Sequence, residues 1–263
     1  MSDGSYQVFA IKYARHDRPA RDNFLGGDPH EVNMPLDYFL WAIVGKKRSF
    51  IVDSGFDEAA ARKRGRTITH PAAEGLQALG IAPDKVEDVI VTHLHYDHAG
   101  NHDLFPNSRF HLQDREMAFA TGRCMCQAAL NHPFDPEDVA QMVRRVFAGR
   151  VQFHDGTVEL APGLSVHLIG GHTDGLQVVR VRTRRGWVVL ASDASHLYAN
   201  MEQGRPFPIV YNLGDMVEGY AILRTLAESP GHIVPGHDPL VMERYPAAKP
   251  GLEGWVAQLD VEP

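Results

Sequence analysis

Short apolar runs alternate with stretches of helical periodicity from one end of the chain to the other, separated by Gly, Pro, Asp or Asn. Strands are predicted at 8–13, 38–44, 49–52, 88–92, 109–112, 151–153, 164–168, 177–182, 187–191 and 232–234. Three helices stand out. One covers 71–79, opening on Pro71 and ending before Gly80. A second follows Asp135 as N-cap, with Val139, Met142, Val143 and Val146 at helical spacing. The third runs from about 215 to 227, with Asp215 and Glu218 as a capping-box-like start and Ile222, Leu223 and Leu226 as its apolar positions. Residues 114–150 form a mostly helical excursion, suited to a lid or an oligomer contact. Strands and helices mixed in this way predict an α/β fold with more strands than one small sheet holds.

Length and composition narrow the partners. A chain of 263 residues that is 44% hydrophobic suits one domain over 1–263 with a large core. Its formal charge of −7 is spread along the chain, so no cationic face is expected and nucleic acid is not an expected partner. No apolar run approaches the roughly 20 residues of a membrane span, and MSDGSYQ has neither a basic nor an apolar leader region. The expectation is a cytoplasmic protein without a membrane partner. Cys124 and Cys126 are too few for a disulfide framework and are expected as reduced thiols.

The chemistry concentrates in 89–101, where Val89-Ile90-Val91-Thr92 delivers the chain to His93-Leu94-His95-Tyr96-Asp97-His98. In extended backbone His93 and His95 point the same way and could reach one metal ion. Asp97 and His98 follow in a turn and could reach a second, with Gly100 allowing the chain to turn tightly. Such ligands suit zinc, iron, manganese or cobalt, and a catalytic site leaves positions open for water. Further ligands are offered by His172, Asp193 and His237, each directly after a predicted strand. Taken alone each has an ordinary explanation as a turn or surface residue; their joint occurrence with the dense motif raises all three.

The motif with His172, Asp193 and His237 resembles the metallo-β-lactamase superfamily, and Asp53-Ser54-Gly55 matches that family's early Asp-containing turn. The resemblance implies an αβ/βα sandwich, two mixed β-sheets flanked by helices. It implies two divalent ions, zinc first, with His93, His95 and His172 on one and Asp97, His98 and His237 on the other. Asp193 would bridge them, and Asp53 would orient a ligand imidazole.

Within the superfamily the chain is similar to the N-acyl-homoserine lactonases, in residues 92–101, 38–41, 191–195 and 235–238. The implied reaction is the opening of a lactone, a small cyclic ester, by a metal-bridging hydroxide, with Asp97 carrying the proton to the leaving group. One position departs. Those enzymes place a Tyr three residues after the bridging Asp, to meet the oxyanion; here it is His196, with Tyr198 nearby. Phe24, Met34, Met125, Phe147, Phe207 and Tyr211 could overhang the site, and Arg123, Arg205 or Lys249 could meet a substrate carboxylate, although packing and solvated charge are their more ordinary roles. Alternatives on the same scaffold are a glyoxalase II-like thioesterase, a phosphodiesterase and a mononuclear iron dioxygenase, and a homodimer is compatible with the sequence.

Overall fold

The computed structural model describes residues 5–263, so the first four residues of the stretch read for a leader lie outside it. The chain begins with β1 (Gln7–His16), β2 (Leu36–Val44) and β3 (Ser49–Val52), followed by α1 (Glu58–Arg64), β4 (Thr67–Ile68) and α2 (Ala72–Ala78). Next come β5 (Asp88–Ile90), the single turn α3 (Tyr96–Ala99) and β6 (Arg109–Gln113). Residues 114–150 carry α4 (Asp114–Ala120), α5 (Ala128–Asn131) and α6 (Pro136–Phe147). Then follow β7 (Val151–His154), β8 (Val158–Ala161), β9 (Leu164–Leu168), β10 (Gln177–Thr183) and β11 (Gly186–Ser192). The chain closes with α7 (Tyr198–Gln203), α8 (Leu213–Leu226), β12 (Ile233–Pro235), α9 (Leu240–Arg244) and β13 (Val256–Gln258).

These strands form two mixed sheets, in the order β13-β1-β2-β3-β5-β6-β7, with β4 beside β1, and β12-β11-β10-β9-β8. Alternation along β2 shows how they pack. Phe39, Trp41 and Ile43 enter the core shared with Val166, Val178 and Val189 of the second sheet. Tyr38, Leu40 and Ala42 face the opposite way, into a core with Leu76 of α2 and Met142 of α6. Both faces of the first sheet are therefore buried, by the second sheet and by helices. The architecture is the helix-flanked sandwich of two mixed sheets that the sequence implied.

Each predicted strand is present with ends shifted by at most three residues; β4, β8 and β13, all short, were not predicted. The third predicted helix begins differently. Asn212, rather than Asp215, caps α8, its side chain accepting from the backbone N–H groups of Gly214 and Asp215. Among the described residues no helix is long and apolar enough to cross a membrane.

Topology brings the strand ends together. β10 runs antiparallel to both β9 and β11, and β11 is parallel to β12, so β9, β11 and β12 end at one edge. At that edge the Gln177 N–H donates to the Thr92 carbonyl at 3.0 Å, joining the start of β10 to the segment that follows β5. His93, His172, Asp193 and His237 therefore emerge on neighbouring loops.

Candidate metal centre

Every motif residue proposed from the sequence reaches this edge and is buried: His93, His95, Asp97, His98, His172, Asp193 and His237 are each at most 9% exposed. Donor atoms of His93, His95 and His172 lie within 4.8 Å of one another, as do those of Asp97, His98 and His237. Asp193 lies between the sets, its carboxylate 3.0 Å from His237 Nε2, 3.3 Å from His98 Nε2, 3.2 Å from His172 Nε2 and 3.8 Å from His93 Nε2.

Hydrogen bonds from behind fix which nitrogen faces inward. His98 Nδ1 meets Asp53 Oδ2 at 2.7 Å, His172 Nδ1 the Ile209 carbonyl at 2.7 Å, and His237 Nδ1 the Asp37 carbonyl at 2.9 Å. His93 Nδ1 lies 3.1 Å from Thr92 Oγ1. Their Nε2 atoms are thereby left for the centre, whereas His95 turns Nδ1 inward, 2.9 Å from His172 Nε2.

The residues fit a metal. His93 Nε2, His98 Nε2 and Asp193 Oδ1 are buried and have no hydrogen-bond partner. Lone pairs crowded together in this way, with nothing bonding them, are costly unless a cation satisfies them. Without a cation the imidazoles divide. Burial, then His98 and His95, hold His93 well below the usual histidine range. Burial acts the same way on His98, but the carboxylates of Asp193, Asp97 and Asp53 outweigh it and hold His98 well above that range.

Asp53 does more than touch His98. Its Oδ1 accepts the Thr92 N–H at 2.7 Å and its Oδ2 the Thr92 hydroxyl at 2.9 Å, from a left-handed backbone at φ 62°. Thr92 Oγ1 in turn lies 2.8 Å from Ser192 Oγ, beside Asp193. Glu116 plays a matching part on the other side. Fully buried, it accepts from the Leu94 N–H at 2.8 Å, the Thr173 hydroxyl at 2.6 Å and the Gly175 N–H at 3.1 Å, tying the His93–His95 segment to the His172 loop. Sequence reasoning missed Thr92, Ser192 and Glu116, because single polar residues acting on distant backbone leave no pattern.

Two glycines are needed for room. A Cβ on Gly236 would meet Asp193 Oδ1 at 2.7 Å, and one on Gly100 would meet the Tyr96 carbonyl at 2.5 Å. Gly100 has φ −90°, so close approach requires it here rather than the left-handed turn that a glycine permits.

His196 also comes to the centre. Its Nε2 lies 2.9 Å from Asp193 Oδ2 and its ring stacks on Phe207 at 3.4 Å. Burial pushes its imidazole down to about 3. Tyr198 does not join it, since its ring lies 3.9 Å beneath the Arg244 guanidinium.

Of the residues expected to overhang the site, Phe207 does so through His196. Phe147 instead points into solvent at the end of α6, 89% exposed. Phe24 lies under Arg205, 4.0 Å away, and Met34 lines a groove with Tyr198. Met125 faces a groove with Phe134, and Tyr211 packs on Phe119 at 4.6 Å. The cations fare worse. Arg205 pairs with Asp28 at 2.9 Å, Lys249 donates to the Ala78 carbonyl, and Arg123 is exposed on the 114–150 excursion.

Comparison with known proteins adds four findings. The profile of the metallo-beta-lactamase superfamily matches residues 35–237. An N-acyl homoserine lactonase, AttM, of Azorhizobium caulinodans is 30% identical over 239 residues, covering 81% of this chain and 85% of its own. Among solved structures, a quorum-quenching N-acyl homoserine lactone lactonase superposes with a TM-score of 0.74 at 22% identity, over 90% of this chain and 94% of its own. AidC, a dizinc quorum-quenching lactonase in complex with a product, superposes with a TM-score of 0.68 at 16% identity, over 90% of this chain and 89% of its own.

Proposed function

The chain belongs to the metallo-β-lactamase superfamily, and from that premise we propose that it is a dinuclear metal-dependent hydrolase that opens a lactone. The observation that carries this reading is the set of overlapping donor triads around Asp193, with buried lone pairs on His93, His98 and Asp193 that nothing in the protein satisfies. The lactonase activity of AttM and AidC supports a lactone as substrate, and the dizinc centre of AidC supports two zinc ions as cofactors.

In this reading His93, His95 and His172 hold one divalent ion, Asp97, His98 and His237 the other, and Asp193 both. Ions so held supply an acidified water and a polarised carbonyl near neutral pH. The residues then have separate tasks. Asp97 is the most exposed of the seven donors at 9%. Its carboxylate takes a proton from the attacking water and returns it to the ring oxygen as the acyl C–O bond breaks, giving a hydroxy acid. His196 acts through Asp193, whose Oδ2 it contacts, and stabilises the oxyanion directly only where the substrate oxygen takes over that imidazole N–H. Phe207 holds the ring in place by stacking.

A pH-stat screen of lactones, thioesters and phosphodiesters, on metal-replete and chelated protein, tests the assignment. Lactones are expected to open only with metal present. Closed lactones beside a consumed thioester or phosphodiester would reassign the substrate, and one iron per chain with oxygen uptake would replace hydrolysis altogether.

A further inference from the structure

Three arginines gather on one side of the centre, around two phenols. The Tyr38 ring stands edge-on to the His237 ring at 5.0 Å, and its hydroxyl lies 3.4 Å from that of Tyr96, the residue between His95 and Asp97. Arg66 Nε donates to the Tyr96 hydroxyl at 3.0 Å, and the Arg64 guanidinium lies 3.9 Å over the Tyr96 ring. Arg18 joins them. It donates to the Asp22 carbonyl, while its Nε is buried with no hydrogen-bond partner.

Among the described residues none of the three touches a carboxylate. Among the described residues, Arg48 and Arg109 share Asp88, Arg115 has Asp174 and Arg205 has Asp28, yet Arg18, Arg64 and Arg66 pair with no carboxylate. The chain carries 33 acidic residues against 26 basic ones, so carboxylates are not scarce. Arg66 and Arg18 are close in the fold, because Arg15 of β1 pairs with Thr67 of β4 and so sets Arg66 beside His16 and the residues that follow it. Burial, then Arg66 and Arg18, against a smaller opposing pull from Asp17 and Asp22, push His16 down to about 4. Asp22 and Asp97 act on Arg18 and Arg66 only from a distance, and half-buried cations with no carboxylate in contact favour an anion arriving from outside.

Arg64 is spent on Tyr96 and on the carbonyls of His132 and Phe134, at 2.9 Å each. Arg66 gives its Nε to the Tyr96 hydroxyl and one Nη to the Arg64 carbonyl at 2.6 Å, leaving its other Nη, and Arg18 keeps an unpartnered Nε. Resting on the lactone reading, we propose that the substrate carries a carboxylate, received by Arg66 and Arg18 beside Tyr38 and Tyr96 while its ester faces the donors. A guanidinium suits this task because its planar fork matches a carboxylate and its charge is fixed. A neutral fatty-acyl lactone would leave both cations without a partner.

The test is a pair of γ-lactones identical except that one bears a carboxylate and the other its primary amide. Wild-type protein should favour the acid by about ten- to hundredfold in kcat/KM, the range for charge-assisted hydrogen bonds. In Arg66→Gln and Arg18→Gln that ratio should collapse towards one, mainly through KM for the acid, and Arg66→Lys should restore part of it. Equal rates for the two lactones in the wild type overturn the proposal. So does an equal loss on both in the variants, which would mean that the arginines only support Tyr96. The same acid and amide pair built as thioesters separates the two claims. If lactones stay closed but the acidic thioester is preferred in an Arg66-dependent way, the lactone reading fails and the anion site stands. For protein that turns over neither pair, saturation-transfer NMR with benzoate and benzamide decides. Benzoate should bind and lose its signal in the double variant, whereas absent or surviving binding overturns the site.

Discussion

Buried histidines occur at both ends of β5, and the two groups are built differently. At the start of the strand Asp88 pairs with Arg48, with Arg109 at 3.0 Å and with His111 Nε2 at 2.9 Å, while His111 Nδ1 meets His154 Nε2 at 3.0 Å. No buried polar atom of Asp88, His111 or His154 is left without a protein partner. Just beyond the other end, the donors around Asp193 converge at similar distances but leave His93 Nε2, His98 Nε2 and Asp193 Oδ1 unbonded. Burial is common to both groups, so burial does not mark a metal site. Lone pairs that the protein directs inward and leaves unsatisfied do.

The sharpest way to break this comparison is to remove one carboxylate from each group. Asp193→Ala should lose bound metal and lower kcat/KM by about a thousandfold or more, because that side chain touches both donor sets. Asp88→Ala should keep its metal and its activity and lose stability instead. Breaking a fully buried pair costs about 3–5 kcal/mol. Here Arg48 and Arg109 keep 35% and 50% of their side-chain exposure, so about 2 kcal/mol is expected. Metal analysis and urea unfolding measure the two arms. Metal loss in Asp88→Ala, or retention in Asp193→Ala, would show that the two groups are not separate.

A smaller change sharpens the same contrast from within the centre. Asp53 is no donor in the reading above, yet its Oδ2 lies 2.7 Å from His98 Nδ1 and its backbone is left-handed. Asn tolerates that backbone and keeps one oxygen for the Thr92 N–H. Asp53→Asn should therefore fold and weaken the second ion by about ten- to hundredfold, the usual effect of an outer carboxylate. Chelator competition should show one ion lost early and the other late. Simultaneous loss of both would mean that Asp53 holds the whole edge rather than His98.

Most of this centre could be read from sequence, and the reason is local. His93, His95, Asp97 and His98 sit within six residues, so a strand ending in a single turn suffices to orient them. His172, Asp193 and His237 each follow an apolar run that announces its own end. What escaped was anything set by tertiary contact. Glu116 begins an unremarkable helix and acts on backbone 22 and 59 residues away. Arg18 and Arg66 are ordinary charges in sequence, while Arg205 and Lys249, which looked available for a substrate, are engaged elsewhere. Among strands, β13 was missed because its three residues Val256–Gln258 are held by tertiary pairing with β1 and with residues 246–248. The cap of α8 moved from Asp215 to Asn212 for a similar reason: both can cap, and the Gly171 carbonyl, accepting the N–H groups of Tyr211 and Asn212, holds the chain where the helix begins.

The smallest expected effect lies in the paired group and concerns acid. Burial, and then the neighbouring His111, pushes His154 down to about 4 from an ordinary histidine value near 6.5. The unfolded chain therefore binds a proton there before the folded protein does. Stability from this residue is complete above about pH 6.5 and is lost as the pH falls towards 4. His154→Gln removes the titration, so its unfolding free energy should depend less on pH across that interval, by about 1 kcal/mol after allowance for solvent screening. The measurement is urea unfolding of metal-replete wild type and variant at a series of pH values from 7 to 4. Subtracting one curve from the other cancels the histidines at the metal centre, which titrate in both proteins. At pH 7 hydrolysis should be unchanged, because His154 meets His111 rather than any donor of the centre. Parallel curves would mean that His154 is protonated in the fold, as a partner charged through His111 would require.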